Sequence, residues 1–362
     1  MKNKICYILS FVSIFLIICC KKSAIIQVED VREVDFVNNT GEIIYGKLVN
    51  EIMGARIIGA FDTLLFVVTN DPKGLLQVYS LNDTHRKLGT LCQQGRAQNE
   101  MSRLSLVQAY YKDDHCHLFI IDAGIRICEL DITASLEKGS TVVCQSLMRP
   151  FSQLGSDVFI NNDIGYMIDF MDAYDIQPYE EEQKRVPSKY TIIKDEKQKD
   201  LVFFRTPMRV SERGLVNYPY RGTLVKHPSR NIVVNKFSYM DYLLFMDFDH
   251  NHFFATHQIG SMTHEDTYER EEPWIQHFSA CTVSENYFFI YYRNGIYSRI
   301  QQEGDVYYPE LLVFNWDGNY LKGFKMDMNS SSIAFDEKNK ILYTLSTKTE
   351  KIFAYDLSTI LP

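Results

Sequence analysis

The stretch Ile333 to Leu357 limits the fold of this chain more than any other. It holds three short apolar runs, Ile333-Ala334-Phe335, Ile341-Leu342-Tyr343-Thr344-Leu345 and Ile352-Phe353-Ala354-Tyr355, divided by polar residues that suit turns. Runs of this length, rich in Ile, Phe and Tyr, read as three consecutive antiparallel strands. In the last run Ile352 and Ala354 point one way, and Phe353, Tyr355 and Leu357 the other. Such a meander cannot bury both of its apolar faces by itself, so it needs neighbours built the same way.

The rest of the chain supplies them. Pairs of strand-like runs recur at Thr63–Val68 with Leu75–Leu81, His117–Asp122 with Ile125–Asp131, and Gly165–Phe170 with Lys189–Ile193. Further pairs lie at Tyr242–Asp247 with Phe253–Thr256, and at Tyr287–Tyr292 with Leu311–Trp316. Each is preceded by a shorter apolar run, such as Ile57-Ile58, Leu106-Val107 or Ile232-Val233-Val234. The spacing centres near about 50 residues, the period of four-stranded propeller blades. The 46 aromatic side chains contributed by 23 Tyr and 23 Phe suit strands interdigitating between packed sheets. No helix-period segment follows the leader. The expected fold is therefore all-β: a six-bladed β-propeller of four-stranded antiparallel blades. The first and last blades meet without a covalent link, and the segment from Ile25 to Val37 is expected to supply the outer strand of the last blade, covering its edge.

The N-terminus carries an export pattern. Met1-Lys2-Asn3-Lys4 is a short basic region, and Ile5 to Ile18 is an almost unbroken apolar run of 14 residues. A spanning helix needs about 20, whereas this run suits a secretory core. It ends in Leu16-Ile17-Ile18-Cys19-Cys20-Lys21, which resembles a bacterial lipoprotein signal. Cys20 is the expected lipid attachment residue, because Cys19 then provides the small residue before it. The expected organisation is a signal peptide over residues 1–19, a tether over 20–27 and the propeller over 28–362, in a monomer held at the outer membrane through lipid.

Between the first and second strand pairs lies Gly89-Thr90-Leu91-Cys92-Gln93-Gln94-Gly95-Arg96-Ala97-Gln98-Asn99-Glu100-Met101. This resembles the G-x-G-P-x-E-F segment of the TolB-like six-bladed β-propeller lipoproteins of Gram-negative bacteria. Gly95, Arg96, Asn99 and Glu100 fall on matching positions, while Ala97 and Gln98 depart from the expected Gly and Pro. The resemblance implies an envelope propeller and no particular activity. Physically, the segment reads as a connection between blades, with the Glu100 carboxylate accepting backbone N–H groups or pairing with Arg96 or Arg103.

Chemistry is sparsely signalled. The net charge of −8 opposes nucleic-acid binding. Asp247-Phe248-Asp249-His250-Asn251 opens like a calcium loop, but His252 stands where Gly is needed and Gln258 where Glu is needed, so a polar hairpin tip fits better. His250, His252 and His257 lack the further ligands a metal requires. Neither a resident metal nor a cofactor is expected. The five cysteines of the body, Cys92, Cys116, Cys128, Cys144 and Cys281, read as free thiols, with a Cys116–Cys128 disulfide as the alternative. Residues 172–188 form a polar excursion, expected to be a solvated loop. Trp274, in a polar connection, is a candidate anchor on a binding face, with packing between blades as its alternative. No nucleophile or phosphate-binding motif is present. The expected function is non-catalytic binding of a protein or glycan partner at the envelope. The alternative is a lactonase or glycan-degrading enzyme using strand-end carboxylates (Asp122, Asp131, Asp169, Asp247, Asp317, Asp356) and a divalent cation at the central tunnel.

Overall fold

The computed structural model describes residues 24–25, 30–83, 85–97, 100–123, 126–148, 157–161, 164–168, 185–194, 197–207, 210–211, 214–215, 222–262, 275–296 and 308–361, with backbone only over 147–215. The leader with Cys20, the residues Gln98 and Asn99, most of the 172–188 excursion, Asp169 and Trp274 lie outside the described residues. Among the described residues, no helix is long and apolar enough to cross a membrane.

The chain is an all-β propeller of antiparallel sheets. A blade is recognised by apolar faces packed against its neighbours, and among the described residues five sheets meet that test. The first pairs Ile57–Phe61, Leu64–Val68, Leu76–Ser80 and Lys87–Leu91 in chain order. The second pairs Leu104–Lys112, His115–Asp122, Arg126–Asp131 and Val143–Met148. The third runs Gly222–Lys226, Ile232–Phe237, Tyr242–Asp247, His252–Gln258. The fourth runs Ile275–Val283, Phe288–Ile296, Glu310–Phe314, Tyr320–Met326. The last begins Ser332–Asp336, Ile341–Ser346, Lys351–Asp356.

The expected count of six blades is corrected to five on this finding. The strand count per sheet is also less regular than expected, because N-terminal strands are added along the outer edges. Residues 157–207 form a further sheet known by its backbone pairing, Asp157–Asn161, Ile164–Ile168, Arg185–Lys194 and Lys197–Pro207. Its first strand runs beside Leu104–Lys112 and Gly222–Lys226. Residues 185–188, expected in a loop, begin its third strand.

The N-terminal segment threads along four outer edges in succession. Ala24 and Ile25, expected in the tether, lie parallel to Leu201 and Val202. Asp30–Val34 runs parallel to His252–Gln258, and Thr40–Ile44 parallel to Tyr320–Met326. Only then does Lys47–Glu51 pair antiparallel with Lys351–Asp356. Closure of the last sheet thus falls to residues 47–51, not to the segment 25–37 expected to perform it. The earlier residues meet other edges first, since each unpaired edge offers free N–H and C=O groups. Phe36 anchors this belt: it is fully buried, edge-on to Tyr292 at 5.2 Å and to Phe314 at 6.1 Å. Its backbone N–H and that of Val37 both donate to Gln258 Oε1, at 2.9 and 3.0 Å.

Strand alternation divides each blade between two interfaces. Phe288, Ile290 and Tyr292 pack with Val234, Leu243 and Phe245 of the third blade. Phe289 and Tyr291, one residue out of step, pack with Phe335, Leu342 and Tyr355 of the last. The last blade in turn meets the first through Tyr343, Leu345 and Ile352 against Ile58, Leu65 and Val67. Each such side chain contributes roughly 1.5–3 kcal/mol on burial. One element was not anticipated: a seven-residue helix, Ile132–Lys138, capped by Asp131, whose carboxylate accepts the Ala134 N–H at 2.8 Å, and ended by Gly139 at φ 65°.

Replacing Phe36 with Ala should destabilise the protein by about 3–5 kcal/mol. It should also make residues 30–46 the first site of limited proteolysis, measured by mass spectrometry of the fragments. A variant that unfolds as wild type without early cleavage there would show that the belt is held elsewhere.

Candidate functional site

The inner strands of the five blades surround a cavity of about 300 Å³ on the propeller axis. Its wall is mainly aliphatic, with Ile57, Leu106, Val107, Leu224, Val225, Val283 and Ile333 among the lining residues. Among the described lining residues there is no carboxylate; the polar ones include Ser105, Gln108, Thr223, Lys226, Thr282 and Ser332. The wall is polar at few points because inner strands approach one another closely. Ser332 Oγ accepts the Ile58 N–H at 3.1 Å and thereby ties the last inner strand to the first.

Two groups give the cavity its chemistry. Lys226 is 3% exposed, and its ammonium donates to the His227 carbonyl at 2.9 Å. Burial pulls its pKa down to about 8, with Glu285 and Asp249 opposing the shift. Gln108, also in the wall, has a buried Oε1 without a hydrogen-bond partner, which is costly unless something donates to it. The inner strand bearing Lys226, Gly222–Lys226, was not recognised in the sequence, where Ile232-Val233-Val234 stood as the inner run. The Gly-Thr-Leu-Val-Lys pattern before His227-Pro228 was the available signal.

The described strand-end carboxylates do not converge on this cavity. Asp122 Oδ1 accepts the Ser102 and Arg103 N–H groups at 2.7 and 3.1 Å, and its other oxygen takes Arg126 at 2.8 Å. Burial raises its pKa, but these donors outweigh it and hold the carboxyl below its usual range. Asp131 caps the helix. Asp247 accepts the Asp249 and His250 N–H groups, both at 3.0 Å, in a polar hairpin tip. Asp356 accepts the Ser358 N–H at 2.8 Å. Asp317 lies in the 315–319 turn, where its N–H donates to Asn315 Oδ1 at 3.1 Å. His257 is buried against Tyr242 at 4.6 Å, apart from exposed His250.

In the segment after the first blade, Glu100 Oε2 accepts the Ala97 N–H at 2.8 Å, and a Cβ on Gly95 would run into that carboxylate. Arg96 is exposed. Arg126, not Arg96 or Arg103, secures the turn, donating to the Glu100 carbonyl at 2.7 Å. Trp316 is buried, and its Nε1–H donates to the Ser284 carbonyl at 3.0 Å. All five cysteines of the body are free.

The fold and its axial cavity define a β-propeller. No protein-family model matches the chain, and no curated protein does, so the TolB-like resemblance gains no family match. A crystal structure of a duf4221 family member from Bacteroides vulgatus is similar at a TM-score of 0.55 and 9% identity, over 90% of this chain and 98% of that one. An auxiliary nutrient binding protein from Bacteroides thetaiotaomicron is similar at 0.47 and 11%, over 90% of this chain and 75% of that one. A protein described as exported, from Bacteroides fragilis, reaches 0.47 and 9%, over 92% and 99%. At these identities the likeness is of fold alone, and the last two carry no functional weight.

Lys226→Met should stabilise the protein at pH 7 by about 3 kcal/mol. The unfolded lysine binds a proton up to about pH 10.4, the folded one only up to about 8. The burial cost of the charge is therefore fully present below pH 8 and fades as pH rises towards 10. Chemical denaturation at pH 7 and pH 10 should show the variant's advantage shrinking; an advantage independent of pH would contradict it.

Proposed function

We propose that this chain is a non-catalytic binding propeller of the cell envelope, anchored through lipid on Cys20, whose axial cavity receives an apolar group ending in a carboxylate. The observation that carries this reading is the aliphatic cavity whose wall includes Lys226, with its buried ammonium, and Gln108, with a buried acceptor that has no partner. A carboxylate would complete the ammonium and an amide N–H would complete the acceptor. The C-terminus of a protein partner ending in an apolar residue offers both, as does a small N-acyl amino acid. A glycan suits the cavity less well, because the wall is aliphatic and has few hydrogen-bonding groups. The export pattern of residues 1–20 supports the envelope location.

Calorimetry with N-acetyl-leucine and with a peptide ending in Leu separates the two sources. Saturable binding of either, lost in the C-terminal amide and weakened about tenfold or more in Lys226→Met, is the expected result. Affinity should fall as pH rises through about 8, where Lys226 loses its charge. Binding of neither probe, or equal binding by the amide, would overturn the cavity reading. Mass spectrometry of membrane-extracted protein should find acyl groups on Cys20 and none in Cys20→Ala; an unmodified N-terminus would overturn the anchor.

A further inference from the structure

The second blade brings His117, Glu129 and Cys144 together on one face, with ligand atoms all within 4.8 Å of one another. Three neighbouring strands contribute one residue each. His117 and Glu129 are diagonal neighbours, since Phe119 pairs with Glu129 and His117 with Asp131. Cys144 reaches them through an irregularity: Glu129 pairs with Gln145 and Leu130 with Val143, which leaves Cys144 as the extra residue of a β-bulge. Bulges re-aim side chains in this way, and they recur beside functional sites.

We infer that these three side chains form a divalent-cation site, for which zinc is the best chemical match. Imidazole, carboxylate and thiolate are all zinc ligands, and three protein donors leave a fourth position for water. His117 is 6% exposed, and its Nδ1 has no hydrogen-bond partner, although Glu129 Oε1 lies 2.9 Å away. A buried imidazole nitrogen and a buried carboxylate oxygen this close, without hydrogen-bond geometry between them, are placed to share a cation. Glu129 is 5% exposed, and the Tyr110 hydroxyl donates to its Oε1 at 2.6 Å, a contact that orients the carboxylate. Tyr110 is itself fixed by stacking on Phe119 at 5.3 Å and 12°.

The remaining facing charge is Lys112, whose ammonium stands 3.7 Å from Glu129 Oε1 and is more than half exposed, so it can withdraw into solvent. Asp131 is engaged by His115 at 2.8 Å and by its helix. Cys144 is exposed, which provides the entry path. On binding, the Cys144 thiol releases its proton, and thiolate plus carboxylate balance the ion's two charges.

The test uses the folded chain without its leader, stripped with chelator and titrated with Zn²⁺ and, separately, Co²⁺. The expected result is one equivalent of Zn²⁺, a rise in melting temperature with Zn²⁺, and a near-ultraviolet thiolate-to-cobalt band. Cys144→Ser, at an exposed position, should lose that band and bind Zn²⁺ about tenfold or more weakly. Glu129→Gln should also weaken Zn²⁺ binding but keep the band. Gln145→Ala, on the exposed neighbour of the bulge, should match wild type in all respects. Failure to retain an equivalent of Zn²⁺, or a Cys144→Ser protein that keeps both band and affinity, would overturn the site.

Discussion

Everything in this structure depends on one constraint: no sheet hides both of its faces alone. Along Phe288-Phe289-Ile290-Tyr291-Tyr292, alternate rings go to opposite neighbours, so a blade is half of two cores and owner of neither. The interface between Tyr343, Leu345 and Ile352 of the last blade and Ile58, Leu65 and Val67 of the first is the place where the constraint bites hardest. The chain crosses this seam once, where residues 52–56 link Lys47–Glu51 of the last sheet to Ile57–Phe61 of the first. Apolar contact, the Ser332–Ile58 hydrogen bonds and the Glu350 carbonyl accepting the Ile52 N–H at 2.9 Å hold the seam together.

The axial cavity is a by-product of the same constraint. The inner strands of the blades, set around the axis, leave a space between them. Into that space the chain places Lys226 and Gln108, two groups that folding alone gives no reason to put there. Uncompensated burial of such groups is a standing cost. Function is the natural place to look for its recompense. The His117–Glu129–Cys144 cluster stands on the second blade as well, where Gln108 and Glu129 both pair with Phe119.

The middle strands of the blades were legible because their apolar runs are strong: Leu64–Val68, Glu310–Phe314 and Ile341–Ser346 all stand where the apolar runs placed them. The inner strands at Ile57–Phe61, Leu104–Lys112 and Ser332–Asp336 also stand on short apolar runs, but Gly222–Lys226 offers only Leu224-Val225 between Gly, Thr and Lys. Gly222–Lys226 was missed for that reason, and the third blade was read one strand out of step. The helix at 132–138 had its signals in Asp131 and Gly139, but at seven residues it is too short for helical periodicity to show. Blade count and closure depend on contacts between residues hundreds of positions apart, and no local pattern encodes them. The metal-ligand trio was invisible for a related reason: His117 sat inside an apolar run, and a bulge cannot be read from spacing.

The belt of residues 24–51 has a consequence for how the protein is made. Its strands leave the ribosome before every sheet they border, yet their partners are Leu201, Phe254, Lys325 and Phe353. Residues 24–25 must wait for Leu201 and 30–34 for Phe254, and 47–51 must wait until the final meander exists. Assembly therefore finishes with an early segment, and a nascent chain stalled before the final meander leaves residues 47–51 without a partner strand.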